Sequence, residues 1–462
     1  MSVSKALSVT SLVVASAGLY GQTVTFSEHI APIIFNNCAT CHRPGEAAPF
    51  SLLSYEDVRK RGTLIAAVTK SGYMPPWHAE HGYGEFSDER RLSPAQITAI
   101  QTWVKEGMPE GNPAKTPALP KFIDGWGLGK PDLVLEMPVG FELPASGPDI
   151  YRNFVVPTNL TEDKWVRAVE IRSSARKALH HVLFAYDASG SARKLEGRDG
   201  HPGFGGMSAV GVAAVTGRSG SLGGWAVGAT PKFLPGDLAF PLPKGSDVLL
   251  QMHFHLTGKP ETERATVGLY FAEKAPERPI QSVQLPALFG VGMGLKIAPG
   301  DKQYVIEDSI TLPADVTAYL ASAHAHYLAK EMKATATLPD GKVQPLLWIK
   351  DWDFNWQDRY TYKEPVYLPK GTRIDVRITY DNSADNPRNP SHPPKQVWWG
   401  EQSFDEMGSV SLAVTTANKA DEAALAAMLR ERTRVAVTHA VLDGTATRIR
   451  EEQVASQRAV AK

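Results

Sequence analysis

The chain is read as multidomain: a small all-α domain, then two antiparallel β-sandwich domains, then a short helical tail. Three observations carry this. Apolar residues recur at helical spacing up to about Val104 and at a spacing of two from Val166 onward. A proline-rich stretch, with Pro113, Pro117, Pro120, Pro131, Pro138, Pro144 and Pro148, separates the two regimes. The composition then turns to Ala, Glu and Arg after residue 417. A length of 462 residues allows three domains at roughly 150 residues each.

Taken in order, residues 1–21 hold one Lys and an apolar run from Ala6 to Leu19, followed by small residues, the pattern of a secretory signal. Residues 22–112 form the helical domain. Phe26, Ile30, Ile33 and Ile34 share a helix face, and Ser93-Pro94 starts a second helix whose stripe is Ile97, Ile100, Trp103 and Val104. Residues 113–150 cannot be a continuous helix or a central strand, so they read as a linker with a first edge strand. Strand patterns follow at Val166–Glu170, Leu183–Phe184, Val248–Met252, Val267–Tyr270, Val316–Leu320, Lys333–Leu338, Ile374–Ile378 and Val410–Val414. Turn signals such as Pro339-Asp340-Gly341 lie between them, which indicates sandwiches over 151–280 and 281–416. The Gly-rich segment 196–230 reads as a long loop and 417–462 as a surface helix.

Composition excludes several classes. With 49 basic and 49 acidic residues there is no surplus charge to neutralise phosphates, so nucleic acid is not an expected partner. No later stretch approaches the ~18 apolar residues of a spanning helix, so no transmembrane segment is expected. The signal places the protein in the periplasm or outside the cell. Both cysteines stand in one motif, which leaves none for structural disulfides.

That motif is Cys38-Ala39-Thr40-Cys41-His42, the spacing in which two thiols bind a haem covalently and the adjacent imidazole ligates its iron. Met74, in Tyr73-Met74-Pro75-Pro76-Trp77, is the preferred sixth ligand, ahead of His78, His81 and Met108. A methionine there blocks peroxide access and so disfavours a peroxidase. Arg43-Pro44 resembles the small bacterial cytochromes c, in which the proline carbonyl receives the N–H of the ligating histidine.

The β-rich half carries His180-His181, His253, His255, His324-Ala325-His326 and Met407. Imidazoles with one thioether suit a copper that cycles between two oxidation states. Each motif alone is weak, since strand histidines are ordinarily polar surface or satisfied core residues. Residues two apart share a strand face, which lets His324 and His326, or His253 and His255, approach one ion. Adjacent His180 and His181 do so only at a bulge or strand end. His201, His392 and His439 read as structural, and Trp348, Trp352, Phe354 and Trp356 as core aromatics or the lining of an apolar pocket.

The segments Leu179-His-His-Val-Leu183, Leu249-Leu-Gln-Met-His-Phe-His255, Ser322-Ala-His-Ala-His326 and Asp405-Glu-Met-Gly408 stand in one order. In that order the region 150–416 resembles the copper type II, ascorbate-dependent monooxygenases, the family of peptidylglycine α-hydroxylating and dopamine β-monooxygenase. The resemblance implies two jelly-roll-like sandwiches and two copper ions. His180, His181 and His253 would hold the electron-transfer copper; His324, His326 and Met407 would hold the one that meets O₂ and a small-molecule substrate. His255 is surplus to the pattern and reads as a second-sphere group. The family's animal members are rich in disulfides, which this chain lacks. Its peptide hydroxylase has an arginine where Ser322 stands, and a polar amide where Ser409 stands, so a glycine-extended peptide is a poor substrate. The function implied is hydroxylation of an activated C–H bond, with electrons arriving through the fused haem c domain from a donor protein or ascorbate. The alternative is a periplasmic electron-transfer or copper-binding protein without oxygenase activity.

Overall fold

A computed structural model describes residues 23–46, 48–87, 89–122, 125–147, 149–205, 219–227 and 229–451. The signal-like run 1–21 and the end of the tail, 452–462, lie outside the described residues. Residues 26–115 contain only helical elements, with α-helices Ala31–Asn37, Tyr55–Lys60, Gly62–Lys70 and Pro94–Lys105. The last begins as its sequence dictates. The Ser93 hydroxyl accepts the Gln96 N–H, the Gln96 side chain caps in return, and Pro94 occupies the first turn. Phe26, Ile30, Ile34, Leu52, Ile100 and Trp103 close one core among these helices.

The rest is β-rich, in six sheets among the described residues. One sheet orders strands Leu133–Glu136, Thr266–Phe271, Lys164–Arg172 and Phe240–Leu242. A five-stranded sheet orders Phe204–Gly205, Ile150–Pro157, Asp247–Phe254, Leu179–Asp187 and Ser219–Ala226. Val166, Leu269, Val182, Phe184, Leu250 and Phe254 from these two sheets share one core. A second pair consists of Gln281–Leu285, Gly408–Thr416, Val316–Ala325 and Arg359–Leu368 against Tyr304–Thr311, Arg373–Tyr380, Ala329–Thr337 and Val343–Ile349. Its core joins Ala321, Ala323, Val410 and Leu412 to Met332, Ala334, Ile378 and Tyr380.

Strand alternation decides what the other faces carry. Ala321, Ala323 and Ala325 point into the second core, so Ser322, His324 and His326 point out of it. Leu250, Met252 and Phe254 point into the first core, so Gln251 and His253 point out. These two outward faces confront each other across a cavity of about 1140 Å³, lined by Leu183 and Gln251 from one sheet and by Ser322 and Ser411 from the other.

Two expectations need correction. The segment 196–230 is not all loop, because Ser219–Ala226 pairs along Leu179–Asp187. Backbone pairing needs no side chain, and the glycines here leave room for the facing sheet. Nor is the tail helix simply superficial. Lys419–Leu442, capped by Asn418 accepting the Asp421 N–H, buries Leu425 and Ala440 and closes one side of the cavity with Leu429 and Val437. Gly292 permits that packing, since a Cβ there would meet the Ala436 backbone.

The helical part is not self-contained either. Its segment 79–87 bridges the edges of both sheets of the second pair, with Ala79 opposite Ile349 and Phe86 opposite Tyr362. Glu80 N–H donates to Trp348 O (2.7 Å), and Lys363 N–H donates to Glu85 O (2.8 Å). Trp77 lies edge-on to Tyr360 at 5.1 Å.

Gly408 follows Met407, and a methyl at its Cα would overlap the hydroxyl of fully buried Tyr380. Gly408→Ala is therefore expected to lower stability by about 1–3 kcal/mol, the cost of overpacking a closed core, read by chemical denaturation.

Candidate metal centre

The first histidine trio is made by an irregular strand. Leu179 pairs with Phe254 and His181 with His253, so His180 is one residue too many and is extruded. This is the bulge that two adjacent histidines need to face one point. The Nδ1 atoms of His180 and His181 lie 3.1 Å apart, and those of His181 and His253 3.3 Å apart. One ligand atom from each residue falls within 4.8 Å of the other two. Asp149 organises the group from behind, 2.9 Å from His253 Nε2 and 3.0 Å from His255 Nδ1. With the Nε2–H donated to that carboxylate, His253 turns the lone pair of Nδ1 toward its neighbours. Burial works against the Asp149 charge, but hydrogen bonds from His253, Ser403 and His255 hold its pKa down to about 2. His255 itself is exposed and lies outside the trio.

The second set is placed by sheet register. His324 and His326 share a face, and Ala325 pairs with Gly408, which brings Met407 beside His326 at the strand end. Met407 and His324 line the same cavity. Glu406, fully buried, locks this corner: its carboxylate accepts the backbone N–H groups of His326 (2.6 Å), Leu328 (2.8 Å) and Met407 (2.9 Å). Burial pushes its pKa up to about 8 against the pull of those donors. His324 Nδ1 lies 2.5 Å from Gln357 Oε1, and His326 Nδ1 lies 3.2 Å from the Asp405 carbonyl. Both rings thus keep Nε2 for another partner. His324 Nε2 is buried without one among the described residues.

The two sets adjoin, with the rings of His181 and His324 6.4 Å apart. Phe354 is wedged between them, stacked on His180 at 4.9 Å and edge-on to His326 at 5.7 Å. Trp352 donates its indole N–H to the His326 carbonyl (3.0 Å). These aromatics back the imidazoles and do not line the cavity. Burial depresses the pKa values, to about 3 for His180, to about 4 for His324, and well below the usual value for His181 and His326. Neutral imidazoles with free lone pairs beside a buried thioether suit copper in either oxidation state.

Cys38, Cys41 and His42 share one turn at the end of the Ala31–Asn37 helix, with Cys41 N–H and His42 N–H both donating to the Cys38 carbonyl. Both thiols are free, and burial raises their pKa values, that of Cys38 to about 12. His42 Nδ1 lies 3.2 Å from the Phe50 carbonyl, so Phe50 rather than Pro44 supplies the carbonyl partner of this ring, and Nε2 is the nitrogen turned away from it. Among the sixth-ligand candidates, Met108 packs into the helical core and His81 is paired with Glu89 at 3.1 Å. Met74 is half-buried, and His78 Nε2 is buried without a partner among the described residues.

Sequence reading passed over Asp149, Gln357 and the role of Glu406, and named Phe354 only as a core aromatic or pocket lining. Only Glu406 stood inside a motif; the others reach the site through pairings distant in sequence. Residues 350–358, which carry Trp352, Phe354 and Gln357, also touch the helical part, through Tyr73 against Trp356 (6.4 Å between rings) and the Arg90–Asp358 ion pair.

A depressed imidazole pKa favours the neutral form in the fold, so its stability contribution is complete above pH 6.5 and lost as pH falls toward the folded values of about 3 and 4. Metal-free protein is expected to weaken steadily below pH 6.5, with a shallower slope in His324→Asn, measured by denaturation across pH.

No protein-family model matches the chain, and no curated protein matches it in sequence. Structural likenesses are slight. A Broad Bean Stain Virus structure is 6% identical with a TM-score of 0.27, over 64% of this chain and 90% of that one. The major capsid protein P2 of bacteriophage PM2 is 9% identical with a TM-score of 0.26, over 61% and 96%. The VP2 subviral particle of infectious bursal disease virus is 13% identical with a TM-score of 0.18, over 66% and 77%. Scores this low carry no argument.

Proposed function

We propose that the protein is a copper-dependent monooxygenase that hydroxylates an activated C–H bond with O₂, with electrons supplied through haem c bound by Cys38, Cys41 and His42. The observation that carries this reading is the meeting, at one buried interface, of His180, His181 and His253 with His324 and His326 and, by register, Met407. Copper at these positions would supply one-electron reduction and O₂ activation.

The chain's own groups do the rest. Asp149 and Gln357 fix ring orientation, and burial keeps protons off the nitrogens. Glu406 holds the Met407 backbone against that of His326. The apolar cavity beside His324 admits a substrate while limiting water. The two sheet pairs are the sandwiches this reading requires, and the helices over 26–115 are its electron-entry domain.

The loop after His42 is tied to the segment leading into His180, since Arg176, four residues before that histidine, pairs with Glu46 at 2.8 Å. Such tethering raises the effective concentration of a one-electron carrier. The external donor is ascorbate or a reduced protein. The apolar run at 1–21 supports export to the periplasm or beyond. Among the described residues no helix is long and apolar enough to cross a membrane.

Copper-loaded protein is expected to consume O₂ with formation of a hydroxylated product. Met407→Ala should abolish that turnover while sparing the haem spectrum and the copper at His180, His181 and His253, followed by electron paramagnetic resonance. Turnover that survives this change, or two coppers bound with no product from any substrate, would favour a copper-binding or electron-transfer role. In anaerobic stopped-flow, reduced haem should pass its electron to Cu(II) within the same chain; haem that stays reduced would rule out the fused relay.

A further inference from the structure

Arg359 opens the strand Arg359–Leu368 and pairs in register with Ser322. Paired residues of antiparallel strands project from the same face. Its side chain therefore leaves the sheet on the side of Ser322 and His324, and it lines the cavity. The guanidinium reaches across to the opposite sheet, where a Cβ on Gly223 would lie 3.0 Å from Nη1.

Among the described residues it has no carboxylate or carbonyl hydrogen-bonded to it. The neighbouring Asp358 carboxylate is engaged by Arg90 and by the Arg359 backbone N–H. The other arginines of the cavity, Arg90 and Arg432, are engaged, the first by Asp358 and the second by Asp308 and the Ser309 carbonyl. An arginine cannot shed its proton, and Asp358, the carboxylate that acts on Arg359 through space, is already held by Arg90, so the guanidinium keeps hydrogen-bonding capacity to spare. Leu183, Phe233, Leu288, Phe289 and Trp399 give the same cavity its apolar wall. A guanidinium with no hydrogen-bonded acceptor among the described residues, in a largely apolar chamber, matches a ligand with one anionic end and an extended apolar body.

The geometry points to an amphipathic organic carboxylate as the molecule this cavity takes, its head held by the fork of Arg359 and its chain lying along the apolar wall. Ser322 and His324 are two positions apart on one strand, roughly 7 Å. A head on Arg359 thus presents carbons a few bonds away to the His324–Met407 corner. As a substrate class this rests on the monooxygenase reading; as a binding site it does not.

The test compares decanoate, decanol and decyl phosphate by calorimetry on the full haem-loaded chain, with and without copper. Decanoate is expected to bind at least about tenfold more tightly than decanol, the weight of one charge-assisted pair, and to keep that preference without copper. Arg359→Gln should erase the preference, and Arg359→Lys should retain part of it. The Gln variant removes a half-buried guanidinium that makes no hydrogen bond among the described residues, so it is expected to melt no lower than the parent, which separates loss of binding from loss of fold. A preference for decanoate that is absent in the parent, or that persists in Arg359→Gln, overturns the proposal. Decyl phosphate binding as tightly as decanoate overturns the carboxylate assignment. Decanoate bound through Arg359 but never hydroxylated would sink the monooxygenase reading and leave the anion site standing.

Discussion

Five neutral imidazoles held out of water between two sheet faces are the constraint on which the site depends. An imidazole in solution spends its lone pair on water or a proton. Here burial removes both options, and Asp149, Gln357 and the Asp405 carbonyl engage the ring nitrogens that face away from each meeting point. What remains is a set of lone pairs that only a metal, or a neighbouring ring N–H, satisfies. Desolvating so many polar groups costs stability in the empty protein, a cost that bound metal would return.

The architecture exists to make that desolvation possible. The outer face of an antiparallel sheet is ordinarily solvated, which is why strands alternate apolar and polar residues. In this chain the polar faces of the sheets bearing His253 and His324 are turned toward each other, and three other parts seal the seam. The tail helix closes one side of the cavity. The 79–87 segment ties the helical part to the edges of the second sheet pair. Residues 350–358 run between the histidines, with Phe354 against His180 and His326 and Gln357 against His324. The same short segment meets Tyr73 and Arg90, so the surroundings of Met74 and of both histidine sets share one structural element.

How much was legible follows from the range of each interaction. The alternation Ser322-Ala-His-Ala-His326 states which residues face the core, and adjacent His180 and His181 state that their strand must bulge. The Cys38–His42 spacing states its chemistry without any fold. By contrast, Arg359 and Gln357 stand in no motif, and Asp149 lies in the proline-rich linker. Their importance comes from partners such as Ser322, His253 and His324, which pairing and loop course bring near. The aromatic cluster at 348–356 shows the same limit. Its residues were identifiable as apolar mass, but only packing places Phe354 between the trios and none of the four on the cavity wall.

The sequence by itself determined the order of helical and β-rich regions, the faces of individual strands, the paired thiols beside an imidazole, and the roster of candidate nitrogen and sulfur donors. Those are properties of residues within a few positions of one another, where backbone period and side-chain chemistry suffice. Tertiary structure decided that the two histidine sets adjoin, that Glu406 binds one corner, that the Arg359 side chain enters the cavity, and that the tail is a wall. Each of these depends on which strand pairs with which and on one sheet face covering another. Contacts of that kind are set by the summed packing of two cores, and no local stretch of chain encodes them.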